Sequence, residues 1–203
     1  MNYHNITYPD MNNGEGLRVV LWLSGCSHHC YNCQNPQTWN ANSGIPFDES
    51  AKKELFRELD KDYISGLTLT GGDPLFESNL DDVLDLVNEI RLSLPNKSIW
   101  IYSGYSWEET MSLESELKHA NNLLMKNDNS KKILYVYHED DFKYVPDAYS
   151  LRKQIISQCN VMVDGRYVDL QRNVTLKWRG STNQKVIDIQ QSLQQNKVVL
   201  YCD

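Results

Sequence analysis

Short apolar runs that end in glycine or a turn signal alternate, from residue 18 to residue 164, with stretches whose apolar residues recur at helical spacing. That alternation confines the chain to βα units around a sheet, because a strand buried on both faces reads as a continuous apolar run. Residues 18–24 form the first run, stopped by Gly25, and residues 50–60 follow as a helix with Leu55, Phe56 and Leu59 on one face. The second strand, 66–70, ends at Gly71 and Gly72. Leu80, Val83, Leu84, Val87 and Ile90 then mark a helix that Ser78 is placed to cap and Pro95 ends. Residues 98–102 read as the third strand. Ser106 and Glu109 form a capping box ahead of a stripe made by Met111, Leu113, Leu117, Ala120 and Leu124. A polar loop (121–132), a fourth strand (133–137), a helix (149–157) and a fifth strand (160–163) complete the pattern, turned by Asp164 and Gly165. Beyond Arg166 the alternation stops, although 197–201 read as a strand with 186–189 as a candidate partner. No repeat and no Pro/Gly/Ser-rich linker divides the 203 residues. The expectation is one domain with a core at about 15–165 and an irregular C-terminal tail, 166–203, packed on it. Its fold would be an open, mostly parallel α/β sheet or partial (β/α) barrel.

Three cysteines, Cys26, Cys30 and Cys33, occupy eight residues directly after the first strand. Thiolates this close suit a soft metal or an iron–sulfur cluster better than core packing. A four-iron cluster held by three of them keeps one iron free for another ligand. Thr70-Gly71-Gly72-Asp73-Pro74 stands at the end of the second strand, and consecutive strands usually pair, so both loops should face one site. The glycines let a ligand approach the main chain, and Asp73 offers a carboxylate suited to an ammonium group.

Cys-x3-Cys-x2-Cys after one strand and Gly-Gly-acidic-Pro after the next resemble the radical S-adenosylmethionine enzymes. The resemblance implies a [4Fe–4S] cluster on Cys26, Cys30 and Cys33. It also implies S-adenosylmethionine chelated to the fourth iron, its ammonium against Gly71, Gly72 and Asp73, and a sheet of the partial-barrel type that those enzymes share. Reductive cleavage would yield a 5′-deoxyadenosyl radical, with the protein orienting the reacting groups. Further motifs narrow the resemblance: Tyr8-Pro9-Asp10, the run from Asn13 to Arg18, Val163-Asp164-Gly165-Arg166-Tyr167 and Arg179-Gly180-Ser181-Thr182-Asn183-Gln184. Together they are similar to the activases of anaerobic ribonucleoside-triphosphate reductase, with 121–157 the weakest match. The implied activity is abstraction of a hydrogen from a glycine of the large reductase subunit, leaving a glycyl radical. A low-potential donor, flavodoxin- or ferredoxin-like or another reductant, would supply the electron. Where many superfamily members carry an aromatic residue before the third cysteine this chain has Asn32. Asn32 and Gln34 become the candidates for contact with the adenine. Asp73 replaces the commoner Glu, a shorter reach.

Other readings stand beside this one. The chain could activate a different glycyl-radical partner or act on a small molecule. A non-catalytic zinc module would recruit His28 or His29 to a Cys3His set, although zinc ligands more often come as two separated pairs. Cys159 and Cys202 are isolated and read as small buried hydrophobes. His138 and Asp164 end predicted strands and could reach the site or serve structure; Trp178, Arg179 and Ser181 are open between the cofactor site, a docking surface and an ordinary tail. A net charge of −7 argues against nucleic acid or an anionic membrane as partner. No secretory leader and no run near the roughly 20 apolar residues of a membrane span is legible. With an odd cysteine count, these features point to a reducing cytoplasm.

Overall fold

The computed structural model describes residues 1–111 and 147–202. The apolar run at 18–24 forms strand β2 (Arg18–Leu23), whose residues are almost all buried. Strands β4 (Gly66–Gly71), β5 (Ser98–Tyr102) and β6 (Val161–Asp164) continue the sheet beside it. The pairs β2–β4, β4–β5 and β5–β6 are parallel. Strands at both chain ends are antiparallel: β1 (Asn2–Asp10) lies along β2 and carries the short β3 (Ile45–Pro46), while β7 (Lys185–Asp188) follows β6 and then β8 (Leu200–Cys202). The sheet order is β3-β1-β2-β4-β5-β6-β7-β8. The architecture is therefore mixed α/β with an open sheet, not a mostly parallel one, because the terminal segments add antiparallel strands at both edges. Nor is the C-terminal segment wholly irregular, since β7, a helix and β8 extend the sheet.

The side chains of alternating strand residues divide the core in two. Leu21, Leu69, Ile99, Ile101 and Met162 face helices α1 (Glu49–Leu59), α2 (Leu80–Ser93) and α4 (Ala148–Gln158). Trp100, Val161, Val163 and Val186 form a second cluster, joined by Tyr102, Trp178 and Cys202. Near the amino ends of the strands this second side is plugged by Arg18, which is fully buried. Its Nε donates to Thr68 Oγ1 (2.7 Å), and its Nη atoms reach Ser98 Oγ and the carbonyls of Glu15, Leu67 and Ser98. The guanidinium also lies 5.3 Å from the Trp100 ring centre. Burial pushes its pKa down to about 10, yet five donors satisfied in this way keep the cation in place.

Local signals explain most element boundaries. Asp48 caps α1 by accepting from Ser50 N and Ala51 N. The predicted capping box is present, with Ser106 N donating to Glu109 Oε2 and Glu109 N to Ser106 Oγ ahead of α3 (Trp107–Met111). Ser78 does not cap α2; a 3₁₀ turn (Glu77–Asn79) precedes that helix. Asn79 at its N-cap spends its amide on Ser24 O and Asp73 O instead, tying two loops together. Strand β1 has no counterpart in the periodicity reading. The predicted stripe beyond Met111, the fourth strand at 133–137 and His138 lie outside the described residues. Cys159 is fully buried, with its thiol donating to Ile155 O.

Candidate active site

Because β2, β4, β5 and β6 run parallel, their carboxyl ends share one edge of the sheet. Ligands of open α/β sheets bind at that edge, where the loops diverge. Here β2 delivers the cysteine loop, β4 the glycine pair, β5 Ser103 and Gly104, and β6 Gly165 and Arg166. Residues from all four loops line one cavity of about 120 Å³, including Cys26, Cys30 and Cys33. A second cavity of about 360 Å³ adjoins it, sharing Cys30, Cys33, Tyr102, Tyr167 and Gln184 and continuing to Trp22, Gln34, Trp178 and Arg179. A further cavity of about 510 Å³, around Glu15, Ser98 and Asp188, sits at the strands' amino ends and contains no cysteine.

The glycine pair is required by main-chain docking. Gly71 has φ +98°, and a Cβ there would lie 2.8 Å from Leu23 N; on Gly72 it would lie 2.5 Å from Gly25 O. Gly72 N donates to Leu23 O and Asp73 N to Gly25 O, both at 2.7 Å. The second loop is thereby bolted to the base of the first.

Asp73 is 2% exposed and lines the thiol cavity. Its Oδ1 accepts from Leu75 N (2.8 Å) and Ser103 Oγ (2.9 Å), and its Oδ2 from Gly104 N (3.0 Å) and His28 Nε2 (2.8 Å). The carboxylate charge thus stands in the cavity wall while its lone pairs hold three loops together. His28, between the first two cysteines, is also packed edge-on against Tyr105 at 4.7 Å. Gly104 makes room for it, since a Cβ there would fall 2.2 Å from the imidazole. His29 lies against Trp39 at 4.8 Å.

The protein alone keeps these thiols protonated. Burial pushes the Cys26 thiol up to about 11 and raises that of Cys30, so neither ionises unaided at neutral pH. The backbone of His28 and His29 at Cys26 and that of Tyr167 at Cys30 act against this shift, and Asn35 N donates to Cys33 Sγ at 3.4 Å. Iron would supply the charge that displaces the protons, and N–H donors to sulfur are a known control on cluster potential. Among the described residues no three His, Cys, Asp or Glu side chains are grouped to hold a single metal ion. Cys26, Cys30 and Cys33 together line the cavity of about 120 Å³, and their thiols are the donor type that iron–sulfur clusters use. The Nε2 atom of His28 is committed to Asp73 at 2.8 Å.

Gln34 lines the larger cavity, whereas the Asn32 side chain lines neither and donates to Asp169 Oδ2 at 3.1 Å. Asn32 has φ +55°, a left-handed conformation that asparagine tolerates far better than a bulky aromatic residue. The motif from Arg179 to Gln184 is a self-bonded loop. Gln184 Oε1 accepts from Gly180 N and Ser181 N, and its Nε2 donates to Gly165 O. This staple brings Trp178 and Arg179 to the cavity. Asp164 is structural: it accepts from Trp107 N and Lys185 N, both at 2.9 Å. Sequence reasoning does not find the roles of Ser103 and Gly104; their one signal is another glycine-stopped strand.

A mixed α/β sheet with three thiols around a cavity at its strand ends defines, by class, an iron–sulfur protein. Residues 12–132 and 125–187 match the family model described as a 4Fe-4S single cluster domain. The sequence is 36% identical over 188 residues to the anaerobic ribonucleoside-triphosphate reductase-activating protein of Enterobacteria phage T4, covering 92% of this chain and 93% of that one. It is 33% identical to the protein of the same name from Escherichia coli K12, covering 92% and 97%. The Pasteurella multocida protein of that name is also 33% identical, over 91% and 95%. The chain belongs to the family of anaerobic ribonucleoside-triphosphate reductase-activating proteins.

Proposed function

We propose that this chain is a radical S-adenosylmethionine activase that installs a glycyl radical on the large subunit of an anaerobic ribonucleotide reductase. The observation that carries the reading is the set of three cysteines lining one cavity at the carboxyl edge of the parallel strands, beside Gly71, Gly72 and Asp73. Cys26, Cys30 and Cys33 would hold a [4Fe–4S] cluster. When bound, the cluster and S-adenosylmethionine supply the reductively generated 5′-deoxyadenosyl radical that takes the glycine hydrogen. Gly71 and Gly72 present main chain to the methionine end, and Asp73 contributes its charge to the ammonium while fixing the loops. Gln34, at the wall of the larger cavity, is the candidate for adenine contact; Asn32 acts through the turn it permits.

The sheet is read as a partial barrel, open on one side so that a glycine-bearing loop of the partner can enter, in one domain with the segment after Arg166 packed on it. The electron comes from a low-potential, flavodoxin- or ferredoxin-like donor in the cytoplasm. No helix among the described residues is long and apolar enough to cross a membrane. Anaerobic reconstitution with iron and sulfide, reduction with dithionite and addition of cofactor test the reading. The expected result is a [4Fe–4S]⁺ signal that changes with cofactor, then a glycyl doublet on adding the reductase. A colourless protein holding one zinc per chain overturns the enzyme reading; a doublet with another partner alone reassigns the substrate.

A further inference from the structure

Buried polar atoms in folded proteins are nearly always paired, since an unmade hydrogen bond leaves the desolvation cost uncompensated. Two departures among the described residues fall in one place. The Tyr102 hydroxyl and Arg179 Nε are buried without a hydrogen-bond partner, and both residues line the cavity of about 360 Å³. Tyr102 lines the thiol cavity as well, so it stands at the junction of the two. Neither group belongs to a loose surface. Tyr102 ends β5 and packs against the Trp100, Val161 and Val163 cluster. Arg179 is anchored by Nη1 donating to Gln184 O at 3.1 Å, within the loop that Gln184 closes. Burial raises the Tyr102 pKa, so its hydroxyl stays protonated and available to donate.

We propose that the Tyr102 hydroxyl and the Arg179 guanidinium contact S-adenosylmethionine, donating to its oxygen acceptors where the two cavities meet. This rests on the reading that the cofactor binds at the cysteine loop. Two unmatched donors on residues that line one space select a ligand that presents oxygen lone pairs, and the cofactor carries them on its carboxylate and ribose. An apolar ligand would leave both donors unmatched. The volume lies within the range of small-molecule sites, and Trp22, Tyr167 and Trp178 supply aromatic wall for a nucleoside.

The test uses the full chain, reconstituted anaerobically and left unreduced so that no cleavage intervenes. Equilibrium dialysis gives the dissociation constant for S-adenosylmethionine in wild type, Tyr102→Phe and Arg179→Lys, with iron per chain and thermal midpoint as folding checks. Tyr102→Phe should weaken binding roughly fivefold and Arg179→Lys roughly tenfold or more, with iron content unchanged. The cofactor concentration that shifts the electron paramagnetic resonance signal of the reduced cluster should rise in step. Unchanged affinity in both variants at full iron content overturns the proposal and assigns the two groups to ordered water. Wild-type protein that carries the cluster but binds no cofactor overturns instead the reading beneath it. Should Arg179→Lys lose iron through its loop, Tyr102→Phe, which removes one oxygen from a packed ring, decides alone.

Discussion

Replacing Asp73 by asparagine keeps the side chain's shape and removes one of its two acceptors. Four donors converge on the carboxylate: Leu75 N and Ser103 Oγ on one oxygen, Gly104 N and His28 Nε2 on the other. Whichever way the amide turns, one of these pairs faces an NH₂ group. Each buried donor left without an acceptor costs about 1–3 kcal/mol, so the pair together costs about 2–6 kcal/mol. That is a large share of the roughly 5–15 kcal/mol by which a domain is stable. Urea denaturation of cluster-free Asp73→Asn, His28→Ala and the double variant measures the loss and the coupling between the two sites, expected at about 1–3 kcal/mol. Iron retained per chain after reconstitution should fall in both single variants, because His28 holds the loop between Cys26 and Cys30. A loss under about 0.5 kcal/mol with full iron retention would refute the clamp. Normal stability and iron with weakened cofactor binding would show the carboxylate acting on the ammonium rather than on the loops.

Arg18→Met should destabilise by about 3–5 kcal/mol in the same urea assay, since it removes the donor to the carbonyls of Leu67 and Ser98 in a buried site; a loss below about 1 kcal/mol contradicts the plug. Gly72→Ala should lower iron incorporation severely, because its Cβ meets Gly25 O at 2.5 Å, and normal incorporation would show that the loops are not docked in this way. Cys26→Ala, Cys30→Ala and Cys33→Ala should each abolish cofactor cleavage measured as 5′-deoxyadenosine, whereas Cys159→Ala keeps it; equal loss in all four sinks the ligand assignment. Burial pushes the Cys159 thiol up to about 12 from 9.0, so the folded state holds a proton that the unfolded state has shed. Stability of the cluster-free protein should therefore fall as pH rises above about 9, and Cys159→Ala should flatten that slope.

Strands β2, β4 and β5 are legible in the sequence because each is a short run of apolar and small residues stopped by a glycine or turn signal, and their predicted ends agree with the structure to within a residue. Strand β1 is not legible. A register shift between Tyr3 and Asn5 breaks its alternation, so the buried Tyr3 and Ile6 stand three apart. The cysteine and glycine loops are legible from spacing, and parallel pairing places them together. What spacing cannot give is the partner of a side chain. Nothing local says that His28 meets Asp73, that Asn79 serves two loops instead of capping a helix, or that Asn32 turns to Asp169. Those are choices of tertiary contact, and they override the local preference of each residue.

The bond from Asn32 to Asp169 spans 137 positions, and Tyr167 lines the thiol cavity together with Cys30. A ribosome that has made every cysteine of the loop has yet to make the residues that hold it in shape. The loop is therefore incomplete throughout most of synthesis, and stable iron uptake becomes an event of the finished chain rather than of the emerging one.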